Sequence, residues 1–278
     1  MFSWFKKKKK DACTTSNTPQ KSFNFNDNDA KVLLQEIKQE FGLDYEKQEY
    51  ITLRKIERFA IKNEICDFIE LKTTLQNSTE LKEMLINMLT VGETYFYREL
   101  GHLKILAEYV KEKKVQNILC APSSSGEEVY SILIYLKEAK RSGIHLTGID
   151  LNSNAITAAQ KGCYRERSLS PLPLELQSKY FTKNEEKYCV DAAFKRDAHF
   201  LHQNIFDDSF LNLGNFEVVF CRNMLIYFND TQKKKALANI RTIMSHGGIL
   251  FIGHADISFT PDGFKKELCA DGSYYIKV

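Results

Sequence analysis

The chain has 278 residues, 43% of them hydrophobic and 27% charged, which suits one large or two smaller globular domains and excludes wholesale disorder. Five prolines and 13 glycines exclude a collagen-like or Pro-rich fibre, and no apolar run approaches the length of a membrane-spanning helix. The net charge of +3 comes from one block, Lys6 to Lys10; the rest is close to neutral, which argues against a nucleic-acid binder that relies on a broad basic surface.

Met1 to Phe5 are too short ahead of the lysines to form a signal peptide. Residues 1–23 are therefore expected to be a basic disordered tail and linker, with at most a weak attraction of Lys6–Lys10 to an anionic membrane surface. Helical periodicity then predicts an all-helical region over residues 24–95. Its first helix covers about 28–40, capped by Asp27 or Asp29, with Val32, Leu33, Ile37 and Phe41 on the apolar side and Gly42 at the end. A second covers about 46–62 and buries Ile51, Ile56, Phe59 and Ala60. A third runs over about 65–76, and a fourth over about 80–90 with Leu81, Met84, Leu85, Met88 and Leu89 inward. On the second helix Arg54, Arg58 and Lys62 recur every four residues. Such a row is ordinarily a solvated face, and it also suits an acidic partner helix.

A connecting helix is expected over 96–114, and from 115 onward the period changes. Ile118–Ala121, His145–Asp150, Phe216–Cys221 and Ile249–Gly253 predict strands. Glu127–Glu138, Asn154–Lys161 and about 230–244 predict helices between them. This alternation points to an α/β fold with a mainly parallel sheet covered on both faces. Tyr274–Lys277 is expected as an edge strand, and the lapse in alternation over about 164–200 as a small inserted subdomain. The seven cysteines (Cys13, Cys66, Cys120, Cys163, Cys189, Cys221 and Cys269) are odd in number and include no CxxC pair, so reduced thiols in a cytosolic protein are expected.

Two strand ends suggest a nucleoside site. The turn Ala121-Pro122-Ser123-Ser124-Ser125-Gly126 uses small residues that let a ligand approach the backbone, and a helix N-terminus follows. It is neither a P-loop nor GxGxxG. Glu127 and Glu128 would repel a pyrophosphate but could hold an ammonium group, or simply complement the helix dipole. Asp150, closing the next strand, can accept from both hydroxyls of a ribose, or cap the helix that follows. Together these favour S-adenosylmethionine over NAD.

Six motifs in order carry a family resemblance. Residues 90–99 (Thr90-Val91-Gly92-Glu93-Thr94-Tyr95-Phe96-Tyr97-Arg98-Glu99) resemble NETxFFRE. Ser124-Ser125-Gly126-Glu127-Glu128-Val129-Tyr130-Ser131 resembles STGEEPYS. Thr147-Gly148-Ile149-Asp150 and Gly162-Cys163-Tyr164-Arg165 follow, then Phe220-Cys221-Arg222-Asn223-Met224-Leu225-Ile226-Tyr227-Phe228, close to FCRNVLIYF. Gly247–His254 resembles GGxLFLGHSE. The chain thus resembles the CheR family, the chemotaxis receptor glutamate O-methyltransferases, over about residues 24–278.

The resemblance implies an N-terminal helical, receptor-facing domain and a Rossmann-like S-adenosylmethionine-dependent methyltransferase domain with a small antiparallel β insert. It implies esterification of glutamates on the cytoplasmic helical bundle of chemoreceptors, with S-adenosylhomocysteine as product and no metal. The family's cofactor contacts fall on Thr94, Arg98, Glu127, Asp150, Asn204, Ile205, Arg222 and Asn223, and its receptor-facing basic helix on Arg54, Arg58 and Lys62. A glutamate carboxylate is already ionised near neutral pH, so the reaction needs alignment and desolvation rather than a base. Arg98 is expected to hold cofactor or substrate carboxylate unless it is paired with Glu99. Tyr227 is expected to orient the substrate unless it is a core aromatic, and His254 to be a structural hydrogen bonder. The chain departs from the family at Gly92, at Pro122-Ser123 and at Val129. No glycine lies between Gly162 and Gly214, which favours a member that does not tether a receptor-tail pentapeptide. A cytoplasmic monomer is expected, recruited to receptor arrays, with no nucleic-acid partner. The competing readings are a catalytically inactive receptor-binding module and a methyltransferase for another substrate; against the latter, Arg222-Asn223-Met224-Leu225 stands where amino-methylating enzymes carry Asn-Pro-Pro-aromatic.

Overall fold

The computed structural model describes residues 23–90 and 92–278; the tail with Lys6–Lys10, the linker to residue 22 and Val91 lie outside the described residues. Four helices come first: α1 (Asp27–Phe41), α2 (Glu49–Lys62, after a 3-10 turn at Glu46–Gln48), α3 (Phe68–Asn77) and α4 (Thr79–Leu89). The cap of α1 is Asn26, whose side chain accepts from the N–H groups of Asn28 and Asp29, rather than Asp27 or Asp29 as expected. Those two acids fall in the first turn, where they complement the dipole. Gly42 ends α1 at φ 77°, its N–H on the Lys38 carbonyl. Asp67 and Ser78 cap α3 and α4.

Leu33, Ile37, Leu53, Ile56, Phe59, Phe68, Leu71, Leu85 and Ile86 form the helical core. Val32, Ile51 and Met84, expected inside, are 49%, 58% and 44% exposed. Val32 and Met84 each directly precede a buried residue, and one step along a helix turns the side chain by about 100°.

The second part contains α5 (Leu100–Glu112), β1 (Asn117–Cys120), α6 (Glu127–Glu138), β2 (His145–Asp150) and α7 (Ser153–Lys161). Next come β3 (Cys163–Arg165), α8 (Glu166–Leu169), α9 (Leu174–Tyr180), β4 (Phe181–Asn184), β5 (Lys187–Val190) and α10 (Ala192–Lys195). The chain ends with β6 (Ala198–His202), β7 (Phe216–Cys221), α11 (Asp230–Thr242), β8 (Met244–Ile252), β9 (Phe264–Cys269) and β10 (Gly272–Lys277). The main sheet has the order β6-β2-β1-β7-β8-β10-β9, parallel through β8 and antiparallel beyond. Alternation sorts its residues into two cores. Leu119, Val219 and Leu250 join α11 and the N-terminal helices on one face, while Ile118, Val218, Phe220 and Phe251 join α5, α6 and the insert on the other. The helical region therefore shares a continuous core with the sheet.

Three expectations are corrected here. The strand around Tyr274–Lys277 is not at the edge, because β9 pairs outside it. Lys265, Lys266 and Glu267 give β9 the charged character of a protected edge, with no apolar alternation to announce it. The second correction concerns the insert: its three-stranded sheet, β3-β5-β4, ends at Val190, while Ala198–His202 belongs to the main sheet, so the small sheet closes earlier than the expected 164–200. Finally, Cys163 and Cys189 form a disulfide instead of remaining reduced; β3 and β5 place them directly opposite. Cys66, Cys120, Cys221 and Cys269 are free.

Gly101 lets α5 touch the turn between β9 and β10: a Cβ there would overlap the Asp271 carbonyl oxygen. Gly101→Ala is expected to lower stability by about 1–3 kcal/mol despite the better helix propensity of alanine. Urea unfolding of both proteins checks this; equal or greater stability of the variant would mean that α5 is free to shift.

Candidate active site

A cavity of about 650 Å³ opens at the C-terminal ends of β1, β2 and β7. The strand order reverses between β1 and β7, the crevice where open α/β sheets bind ligands. Its floor is the turn Pro122–Ser125, its sides are Asp150–Asn152 and Arg222–Phe228, and its roof comes from Phe41, Leu43, Tyr45, Leu89 and Gly92–Tyr95. Thr94, Arg98, Asp150, Asn204, Ile205, Arg222, Asn223 and Tyr227 all line it. Glu127 does not: it is 3% exposed behind the wall, accepting from the Ser125 hydroxyl at 2.7 Å, and its neighbour Glu128 faces the cavity. Burial raises both glutamates above the ordinary carboxylate range.

Asp150 is built as an acceptor. One oxygen takes the Ser124 N–H and the other the Asn152 N–H, each at 2.8 Å. Each oxygen keeps a lone pair for a ligand hydroxyl. Burial raises its carboxyl above the usual aspartate range, against the pull of those two bonds. The alternative capping role is taken by Asn152, whose side chain accepts from the Ala155 N–H.

Arg222 is 4% exposed and ties several segments together. Its Nη1 donates to Glu128 Oε1 and its Nη2 to the Arg98 carbonyl, both at 2.6 Å, and Nε lies 3.4 Å from Glu99 Oε2. Burial alone would lower its pKa; Glu128 and Glu99 outweigh this and raise it. Glu99 is thereby committed to Arg222 and not to Arg98. Arg98 instead donates to the Glu93 carbonyl at 2.9 Å, with its guanidinium 5.6 Å from the Tyr95 ring centre. Tyr97 and Glu99, on either side of it, have φ of 57° and 54°. Two left-handed non-glycine residues in three positions are a strained way to present a side chain, and such strain gathers at functional sites.

Asn223 also has positive φ, 59°, and donates its N–H to Asp256 at 2.6 Å; Asp256 accepts from the Ile226 N–H as well. This fully buried acid shapes the whole 222–228 loop, and sequence reasoning missed it. Its available signal was an acid just beyond the last core strand. The Asn204 amide is spent on the Glu40 carbonyl at 2.9 Å and the Phe206 N–H at 3.0 Å. Tyr227 is 44% exposed at the rim, outside the core. At Gly92 a Cβ would lie 3.2 Å from Ser124 Oγ, so the missing side chain leaves room for the serine-rich turn. Arg54, Arg58 and Lys62 are exposed on α2 and do not line the cavity. Arg54 is paired with Glu57 at 2.7 Å.

His254 is exposed and sets its ring edge against His102, 5.9 Å between centres, rather than acting as a structural hydrogen bonder. Glu99, His102 and His254 form the one grouping of metal-ligand type among the described residues. Because Glu99 already serves Arg222, a cation there would sit against a fixed positive charge. We therefore assign no metal to it.

Residues 92–270 match the family model described as CheR methyltransferase, SAM binding domain. A chemotaxis protein methyltransferase of Campylobacter jejuni is 35% identical over 240 residues, covering 85% of this chain and 91% of that protein. Chemotaxis protein methyltransferase 2 of Vibrio cholerae is 33% identical over 194 residues, 65% of this chain and 67% of that one. Chemotaxis protein methyltransferase 1 of Pseudomonas aeruginosa is 29% identical, with coverages of 82% and 89%.

His102 is 1% exposed, and burial, with Arg222 and His254 nearby, lowers its pKa from 6.5 to about 3. The unfolded chain therefore takes up this proton first, and stability falls as pH drops from 6.5 towards 3, by at most about 1.4 kcal/mol per unit for this group. Urea denaturation across that window should show a shallower slope, by up to one proton, for His102→Gln. An unchanged slope would place the His102 pKa near its ordinary value.

Proposed function

The chain belongs to the CheR family of chemotaxis methyltransferases, and on that premise we propose how its cavity performs the family reaction. The enzyme transfers the methyl group of S-adenosylmethionine to glutamate side chains of chemoreceptors, giving glutamyl methyl esters and S-adenosylhomocysteine. The carrying observation is the pairing of Asp150, with acceptor capacity left on both oxygens, and the small-residue turn at the strand-order reversal of a CheR-type domain.

In this reading Asp150 holds the ribose hydroxyls, and Asn223 and Ile205 border the adenine. Glu128, facing the cavity, meets the cofactor's ammonium group, while Glu127 supports Ser125 from behind. Thr94 and the unused N–H groups of Arg98 hold the cofactor carboxylate or the incoming glutamate. Asn204 and Arg222 build the walls.

The bound cofactor supplies a sulfonium methyl group. The glutamate carboxylate approaches it in line, and transfer cancels one negative against one positive charge. Fixed unpaired charges would therefore stabilise reactants more than the transition state. This cavity suits that demand: the Arg222 charge is met inside the wall by Glu128 and Glu99, and Tyr95, Met224, Ile226 and Tyr227 give the rim an apolar character. Tyr227 at the rim orients the substrate carboxylate by its hydroxyl. No general base is required.

The substrate side of the proposal uses α2. Its exposed Arg54, Arg58 and Lys62 row would meet an acidic receptor helix of the cytoplasmic bundle, with residues 24–95 as the receptor-facing domain and 115–278 as the methyltransferase domain. No helix among the described residues is long and apolar enough to cross a membrane. A cytoplasmic monomer working on membrane receptor arrays fits this reading.

Labelled S-adenosylmethionine and a receptor cytoplasmic fragment test it. Alkali-labile label, released as methanol, is expected on the fragment. Reversing Arg54, Arg58 and Lys62 to glutamate should raise the KM for receptor by about tenfold or more at low salt, and leave S-adenosylhomocysteine affinity unchanged. Equal receptor kinetics in that variant would remove α2 from the docking surface, and alkali-stable label would point to another substrate.

A further inference from the structure

The helical region grips the turn that carries Asp150. Glu83 and Asn87 of α4, with Thr90 just beyond it, face Asn152 and Ser153 at the start of α7. Asn87 Oδ1 accepts from the Ser153 N–H at 2.9 Å, and Asn87 Nδ2 donates to Ser153 Oγ at 2.9 Å. The Ser153 hydroxyl donates in turn to the Glu83 carboxylate. Asn152 Nδ2 donates to the carbonyls of Asn87 at 3.0 Å and Thr90 at 2.7 Å. The backbone N–H of the same Asn152 holds one oxygen of Asp150 at 2.8 Å. One residue is thus fastened to α4 by its side chain and to the Asp150 carboxylate by its main chain.

We propose that Asn87 is a positioning residue for cofactor binding: α4 holds the turn between β2 and α7 and thereby fixes the Asp150 carboxylate, so that the helical region is a structural part of the cofactor site as well as the receptor-facing part. The proposal rests on the reading of Asp150 as the ribose acceptor. A reciprocal amide grip sets orientation as well as distance. Without it the turn samples several arrangements, and the ligand must bear the ordering cost when it binds. Asn87 touches neither substrate nor reacting atoms, so its loss weakens cofactor binding and spares the chemical step once cofactor saturates.

The test uses the full-length protein and three variants, Asn87→Ala, Ser153→Ala and Asp150→Ala. S-adenosylhomocysteine affinity is read by calorimetry, and kcat and KM with a receptor fragment. Asn87→Ala is expected to raise the Kd for S-adenosylhomocysteine and the KM for S-adenosylmethionine by about tenfold, with kcat within about twofold of wild type. Ser153→Ala is expected to move the same quantities in the same direction; it removes only a hydroxyl, and it decides the matter if Asn87→Ala does not unfold cooperatively. Loss of binding in Asp150→Ala with wild-type binding in the other two overturns the proposal and leaves the reading of Asp150 standing. Wild-type binding in Asp150→Ala overturns both. A fall in kcat at unchanged KM in Asn87→Ala also overturns the proposal.

Discussion

A guanidinium out of water is tolerable only when its charge is met and its terminal N–H groups find acceptors, and the active site of this protein is arranged around that demand. Arg222 leaves the end of β7 and reaches the first turn of α6 through Glu128, the strained segment before α5 through the Arg98 carbonyl, and Glu99 beside it. These are three walls of one cavity. The αL conformations of Tyr97 and Glu99 turn the Glu99 carboxylate and the Arg98 carbonyl toward the same guanidinium while Arg98 itself faces the cavity. Removing the guanidinium would leave the Glu128 carboxylate buried and uncompensated, at a cost of about 3–5 kcal/mol. That cost ties the geometry of each wall to the others.

The same arrangement suits methyl transfer from a cation to an anion. Chemistry that annihilates charge is served by a site that presents few unpaired charges to the reacting atoms, and the Arg222 charge is met within the wall. Asp150 and Arg98 keep their charges, and in the proposed arrangement Asp150 meets the ribose, away from the sulfonium, while Arg98 meets a carboxylate. Desolvation and alignment then carry the catalysis, and the roof supplied by the helical region takes part in both.

Much of this was legible in the sequence. Glu127–Glu138 and His145–Asp150 are found with the expected boundaries, because apolar positions every three to four residues and a short apolar run ending in Asp150 leave little choice. Of the motif residues, Thr94, Arg98, Asp150, Arg222, Asn223 and Tyr227 line the cavity, and Glu127 does not. Other features depend on directions that a linear pattern does not encode. Glu127 and Glu128 differ by about 100° around α6, and only packing decides which faces the ligand. Val32 and Ile51 are apolar and exposed for the same geometric reason. The Cys163–Cys189 bridge needs the register of β3 on β5, 26 residues apart in the chain. Asp256 and Asn87 act through contacts with loops far away in sequence, and each looks like an ordinary polar residue until the fold is known.

The forked hydrogen bonds of Arg222, and not its charge alone, assemble the cofactor cavity. Arg222→Lys keeps the charge and removes the fork. Calorimetric titration of that variant with S-adenosylhomocysteine, alongside its urea unfolding curve, separates the fork from the charge. The variant is expected to unfold cooperatively, to be less stable, and to bind about a hundredfold more weakly or not at all. Wild-type affinity in Arg222→Lys would contradict this, and would mean that the cavity walls hold their positions without the arginine.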